Sequence, residues 1–315
     1  MKSFSVQLAS RCLLLSLALF LAGCGGENHP DSGPALPSDE IRAKVMSIDL
    51  NASEITAVPF AIGNRVPESG ELVVGKEFVF HVEAGDFGYL APGKVFRARV
   101  ELEIPPPSGE KPFRLTRVWP DDPAHRRRLD NVNRMLRRDT LSRGADPSRT
   151  VGDYLPPFAL LDQDGNLITS DFFDGKQTVL NFIFTRCSMP DMCPAATNRM
   201  RRLQNLVFAN NVPNVQFLSI TLDPKHDAPG ILKTYAAAYG IDESNFSFAT
   251  APKPVIDDLV NQFGVSRKNS DVATLDHTMR TLLVSGRRQI VYQVPGKGWS
   301  ADDFLARLKE TKQTP

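Results

Sequence analysis

A nearly continuous apolar run, Thr178-Val-Leu-Asn-Phe-Ile-Phe184, most constrains what this chain can become. A run of this kind reads as a strand covered on both faces, which places it inside a sheet with helices packed on each side. Cys187 follows it by three residues, and Cys193 comes directly before Pro194. Proline costs nothing at a first helical position, so residues 195–210 read as a helix opening at that point. Strand, cysteine turn and helix in immediate succession make an α/β fold.

The flanking segments extend that reading over 151–315. Phe158–Leu161 and Leu167–Thr169 form a hairpin across the Asp164-Gly165 turn. Val215–Ile220 is a second buried strand, Pro229 opens a helix that runs to Gly240, and another helix spans Pro254–Phe263. Met279–Val284 and Gln289–Val294 pair across Ser285–Arg287, and Ala301–Lys309 closes the chain as a helix. This succession is a thioredoxin-like order.

The first half is organised differently. Residues 41–104 carry short alternating stretches, among them Ala43–Ile48, Glu54–Val58, Glu77–Val82 and Val95–Leu102, with a Pro-Gly-Lys turn at Pro92–Lys94. Period-two patterning with Gly, Pro and Asn at the joints predicts a small all-β, barrel-like domain. Its placement resembles the small β-barrel copper-binding modules of periplasmic copper-efflux systems. It lacks their Met- and His-rich motif, since His81 and Met46 are the only residues of those types in the region, so a packing or interaction domain is expected. Residues 105–150 read as a linker: Pro105–Pro107 breaks regular structure, and Leu129, Val132 and Leu136 mark a helix within His125–Arg143. Its face is rich in arginine (Arg126, Arg127, Arg128, Arg134, Arg137, Arg138), diluted by Asp130 and Asp139, which fits a solvated helix leaning on a neighbour.

Residues 1–23 have a basic start (Lys2, Arg11) and an apolar stretch, Leu13–Gly23, too short to cross a bilayer, which needs about 20 residues. Leu21-Ala22-Gly23-Cys24 resembles a bacterial lipobox, making Cys24 the expected lipidated residue, followed by a Gly/Pro/Ser-rich flexible tether over 24–40. The expected location is the bacterial cell envelope, facing the periplasm or exterior, on a lipid anchor. A net charge of +1 gives no reason to expect nucleic acid as a partner.

Of four cysteines, Cys12 and Cys24 fall in the targeting segment, so Cys187 and Cys193 are the pair left to the folded part. Six residues apart on one helix, their sulfurs would be about 120° from eclipsed, so the turn between them is non-helical, as Pro190 suggests. Cys193 near a helix N-terminus, and Arg186 beside Cys187, favour thiolates. Two soft sulfurs with the imidazole of His277 suit copper in either oxidation state; zinc accepts the same ligands. Met189 and Met192 are candidate thioether ligands. Asp223, Asp227 and Asp276 are candidate supports for the site, with capping and turn formation the plainer role for Asp223 and Asp227. His226 reads as exposed, and Met135 and Met200 read as packing.

Phe184-Thr-Arg-Cys187, Cys193-Pro194, Thr221-Leu-Asp-Pro224 with Asp227, and Leu275-Asp-His277-Thr together resemble the SCO/SenC family. Members are membrane-tethered, thioredoxin-fold copper proteins that help assemble the copper A centre of cytochrome c oxidase. The resemblance implies copper held by Cys187, Cys193 and His277 and delivered to an oxidase subunit. The chain departs from the family in its turn, with five residues between the cysteines rather than three. A thiol–disulfide oxidoreductase acting on envelope protein cysteines is the alternative, with Cys187 attacking and Cys193 resolving. A peroxiredoxin-like peroxidase ranks last, because Phe184 and Pro190 stand where that family places Thr or Ser before its reactive cysteine.

Overall fold

Alternating side chains build the first lobe. The structure is a computed structural model that describes residues 35–66, 72–102, 113–265 and 278–310. Strands β1 (Glu40–Asp49), β2 (Glu54–Ile62), β3 (Phe78–His81), β4 (Val95–Leu102) and β5 (Phe113–Pro120) close into a barrel in the order β1-β2-β3-β5-β4. Ile41, Ala43 and Val45 point inward from β1, and Phe80, Phe96 and Phe113 fill the interior. The rings of Phe80 and Phe113 lie 6.0 Å apart, within the range of favourable aromatic pairs.

The fifth strand corrects the sequence reading, because it comes from residues assigned to the 105–150 linker. Its alternation fails at a bulge: Arg97 pairs with Trp119 but Arg99 with Thr116, so Arg117 and Val118 together oppose one residue of β4. β3 and β5 run parallel with His81 opposite Arg114, and the rings of Phe78 and Phe80 meet that of Phe113 between them.

Helix α1 (Pro123–Ser142) begins with Asp122, whose carboxylate accepts from the backbone of Ala124 and His125. It lies on the second lobe. Asn133 of α1 donates to the Ala159 carbonyl and accepts from the Ala159 N–H, both at 2.9 Å. Arg137 pairs with the buried Asp258 at 2.7 Å. Met135, read as packing, is 54% exposed on the outer face; its neighbours on α1 carry the contact instead.

The second lobe is a seven-stranded sheet flanked by helices. It comprises β6 (Ala159–Asp162), β7 (Leu167–Thr169), β8 (Gln177–Ile183), α2 (Cys193–Ala209), β9 (Val215–Thr221), α3 (Pro229–Ala238), β10 (Phe246–Thr250), α4 (Lys253–Gln262), β11 (Arg280–Val284), β12 (Ile290–Pro295) and α5 (Ala301–Glu310). The strand order is β12-β11-β8-β9-β10-β6-β7. β8, β9 and β10 run parallel, and β11 and β12 return antiparallel on the other side. A parallel strand–helix–strand unit beside an antiparallel hairpin and a closing helix is the thioredoxin-like arrangement. β10, Phe-Ser-Phe-Ala-Thr, is absent from the sequence reading. Burial decides it, since Phe246 and Phe248 are fully covered.

From Leu36 onward the described chain is one compact unit. The lobes meet where a single 3-10 turn of the barrel, Ala84–Gly88, packs on the start of α3. Two glycines make that approach: a Cβ on Gly85 would lie 2.0 Å from the Gly230 carbonyl oxygen, and one on Gly230 2.0 Å from Asp86 Oδ1. Among the described residues, no helix is long and apolar enough to cross a membrane.

Candidate metal centre

The centre is built at the C-terminal end of β8, where the chain leaves the sheet and turns into α2. Cys187 N–H donates to the Phe184 carbonyl at 3.3 Å, closing the first bend. Met192 N–H donates to the Met189 carbonyl at 3.1 Å, closing the second, and Met192 sits at the N-cap of α2 with Cys193 as the first helical residue. The turn brings the thiols together: the Cys193 side chain is hydrogen-bonded to that of Cys187, and the Phe184 N–H reaches the Cys193 sulfur. Neither cysteine is in a disulfide. Cys193 is fully buried, whereas Cys187 keeps 9% exposure at the rim.

One expectation is reversed here. The helix N-terminus favours a Cys193 thiolate, yet its pKa is raised, first by the hydrogen bond with Cys187 and then by burial. A sulfur with no water around it, sharing a proton with a second thiol, holds that proton until something replaces it.

Behind the turn lies the loop 222–228. Asp227 is fully buried and accepts from Thr185 N–H at 3.2 Å, Thr185 Oγ1 at 2.5 Å and Thr221 Oγ1 at 2.5 Å. Burial pushes its pKa up to about 6, with the hydroxyl and amide donors pulling the other way. Asp223 pairs with Arg186, its Oδ2 lying 2.5 Å from Nη2 and 3.2 Å from Nε. Residues 185 and 186, just before Cys187, are thus each tied to one carboxylate. His226 is half-buried rather than exposed, and burial lowers its pKa.

Met189 and Met192 pack against the hydrophobic core. Met189 contributes its main-chain oxygen, 3.8 Å from the Cys187 sulfur. Met200 is fully buried in the core. His277, Asp276 and Cys24 lie outside the described residues, as does most of the 24–40 tether. A cleft of about 420 Å³ is lined by Met192 and by Thr278, the residues adjoining Cys193 and His277 in sequence. Among the described residues, no group of three or more His, Cys, Asp or Glu side chains is placed to hold a metal.

Thr185 and Thr221 entered the sequence reading only as members of the quoted motifs, without a role, and Tyr235 did not enter it. The two threonines hold Asp227, and Tyr235 meets Thr197 of α2 at 2.9 Å, one turn beyond Cys193. A usable signal was present for the first two. Thr185 ends the buried strand two residues before Cys187, and Thr221 lies six residues before a carboxylate at the next strand end.

A profile of the SCO1/SenC family matches residues 146–313. The chain belongs to the SCO1/SenC family. It is similar to a SCO2-like protein of Rickettsia prowazekii, 32% identical over 134 residues, which are 41% of this chain and 62% of the relative. A SCO1 protein homolog of Bacillus subtilis is 35% identical over 94 residues, covering 30% and 47%. A Stutzerimonas stutzeri relative whose name marks it as a proposed copper binder is 36% identical over 85 residues, covering 27% and 41%. The chain thus spans less than two thirds of the length of these relatives. Among solved structures, a SCO1/SenC family lipoprotein from Bacillus anthracis is 23% identical, with a TM-score of 0.48 over 53% of this chain and 99% of that one. In this SCO1/SenC chain the family match leaves out the barrel and α1.

Proposed function

We propose that this chain binds copper through Cys187, Cys193 and His277 and passes it to a subunit of cytochrome c oxidase, working from a lipid anchor at Cys24 in the cell envelope. The contact between two reduced thiols at the strand–helix turn carries the reading. Two adjacent sulfurs make a soft donor pair that suits copper and leaves hard cations to carboxylates. Membership of the SCO1/SenC family and the name of the Stutzerimonas stutzeri relative support the metal. The cleft lined by both Met192 and Thr278 supports His277 as third ligand, because these are the residues adjoining Cys193 and His277 in sequence.

The residues divide the work. Loading requires both thiols to give up their protons, and their mutual hydrogen bond lets one sulfur stabilise the other as the first proton leaves. Cys187, at the rim, is the ligand that an incoming donor of the partner would displace first. Cys193, with no exposed surface, would release last. Asp227 and Asp223 hold residues 185 and 186 and so keep the turn in place.

Anaerobic titration of the reduced protein with Cu(I), in competition with a chelator, tests the reading. One copper per chain is expected, lost in Cys187→Ser and weakened in His277→Ala; no retention against the chelator would refute it. The same thiol contact favours one second reading, a thiol–disulfide oxidoreductase with Cys187 attacking. In that case His277→Ala would leave the reduction of a disulfide-bearing partner, with Cys187 and Cys193 becoming the disulfide, unchanged, while copper retention is absent in the parent protein.

A further inference from the structure

We propose that the β-barrel is a positioning element of the cysteine site, acting through Arg117 on the loop 222–228; this rests on the reading of Cys187 and Cys193 as ligands. The family match does not cover the barrel, and nothing in its own composition suggests a ligand. Its contacts with the second lobe are nevertheless specific. Arg117 occupies the bulge of β5 with φ +52°, a left-handed backbone state that suits glycine and is uncommon for a long side chain. Outliers of this kind persist where the surroundings hold them, and they concentrate at sites with a task. Here the bulge re-aims the side chain across the seam: Arg117 Nη1 donates to the Lys225 carbonyl at 3.1 Å.

Lys225 lies in the middle of the loop, between Asp223, paired with Arg186, and Asp227, which accepts from Thr185. A second barrel contact holds the other end of the loop. Gly85 and Asp86 pack on Gly230, three residues after Asp227, closely enough that neither glycine has room for a Cβ. The barrel therefore grips the chain on both sides of Asp227. A cleft of about 590 Å³ lies alongside, walled by Arg117, Arg186, Lys225 and His226. Without the Arg117 bond the loop has space to move into, and residues 185 and 186 would move with it. Arg117 is thus a positioning residue two links removed from Cys187.

The test compares full-length Arg117→Gly, Arg117→Lys and Gly85→Ala with the parent in the reduced, metal-free state. Three quantities are read: thermal midpoint, the rate of Cys187 alkylation by iodoacetamide, and Cu(I) affinity by chelator competition. Arg117→Gly removes the guanidinium while relaxing the positive φ, so the thermal midpoint is expected to hold or rise. Cys187 alkylation is expected to accelerate several-fold and the Cu(I) Kd to rise by roughly tenfold, as for other supports behind a metal ligand. Arg117→Lys, which retains a donor, should restore most of the difference, and Gly85→Ala should reproduce it by forcing the seam apart. Thiol reactivity and Cu(I) affinity within twofold of the parent in both Arg117→Gly and Gly85→Ala would overturn the proposal, whatever happens to the thermal midpoint. If the parent retains no Cu(I), the ligand reading fails, while the alkylation contrast still decides whether the barrel positions the turn.

Discussion

Two buried aspartates, one in each lobe, face the same difficulty in opposite ways. Asp227, behind the cysteine turn, is fully covered and accepts three hydrogen bonds; its pKa rises to about 6. Asp86, in the barrel turn against Gly230, is 5% exposed, and burial alone acts on it; its pKa rises to about 7. Donors aimed at a carboxylate offset part of the cost of removing it from water, and without them the group tends toward its neutral form. Around Asp227 the chain spends two threonine hydroxyls and an amide to keep a charge in place. Among the described residues no donor is paired with the Asp86 carboxyl, so the lobe boundary favours its neutral form, while the cysteine region organises a charge.

Four substitutions sharpen or break this contrast. The largest effect is expected from Asp227→Ala, which orphans the Thr185 amide and two hydroxyls. Chemical denaturation should show a loss of about 3–5 kcal/mol, since each buried unpaired donor costs ~1–3 kcal/mol. A loss under 1 kcal/mol would mean the three bonds do not hold the loop. Asp86→Asn should act in the other direction. The native state takes up the Asp86 proton more readily than the unfolded chain, so ionisation costs stability. That cost is nil below the ordinary value of 3.8, grows as pH rises, and is complete above about 7. It amounts to about 4 kcal/mol at most, and an unpartnered amide recovers roughly half of it. Thermal melts of Asp86→Asn and parent should therefore diverge at pH 8, with the variant higher, and converge near pH 4. The same gain at both pH values would show that charge is not the cause. Thr221→Val should have the smallest effect, a loss of about 1 kcal/mol from one missing donor to Asp227. Combined with Thr185→Val, the loss in the double variant should exceed the sum of the two single losses if the carboxylate is held by both.

Much of the second lobe was legible because its strands are apolar runs and its helices open on proline. Cys187 and Cys193 could be placed at the end of β8 from the sequence for the same reason. Their contact across five intervening residues could not, because it depends on Met189, Met192 and Phe184 supplying backbone bonds that no side-chain pattern announces. The electrostatics were misread on one point: position at a helix start argues for a thiolate, while burial and the partner thiol argue against it more strongly. β5 was hidden by its bulge, since Arg117 interrupts the alternation that marks a strand. The roles of Thr185 and Thr221 were hidden by chemistry too common to stand out, and they emerge only when two strand ends lie side by side.

The strands of the barrel wall are unequal: β1 runs for ten residues and β3 for four. A short strand has fewer backbone bonds to lose in one opening. Warming or mechanical pull would free it first, so the backbone hydrogens of β3 should trade with heavy water well before those of β1. The chain would yield there, at a sacrificial edge, while the lobe that carries the thiols stays shut.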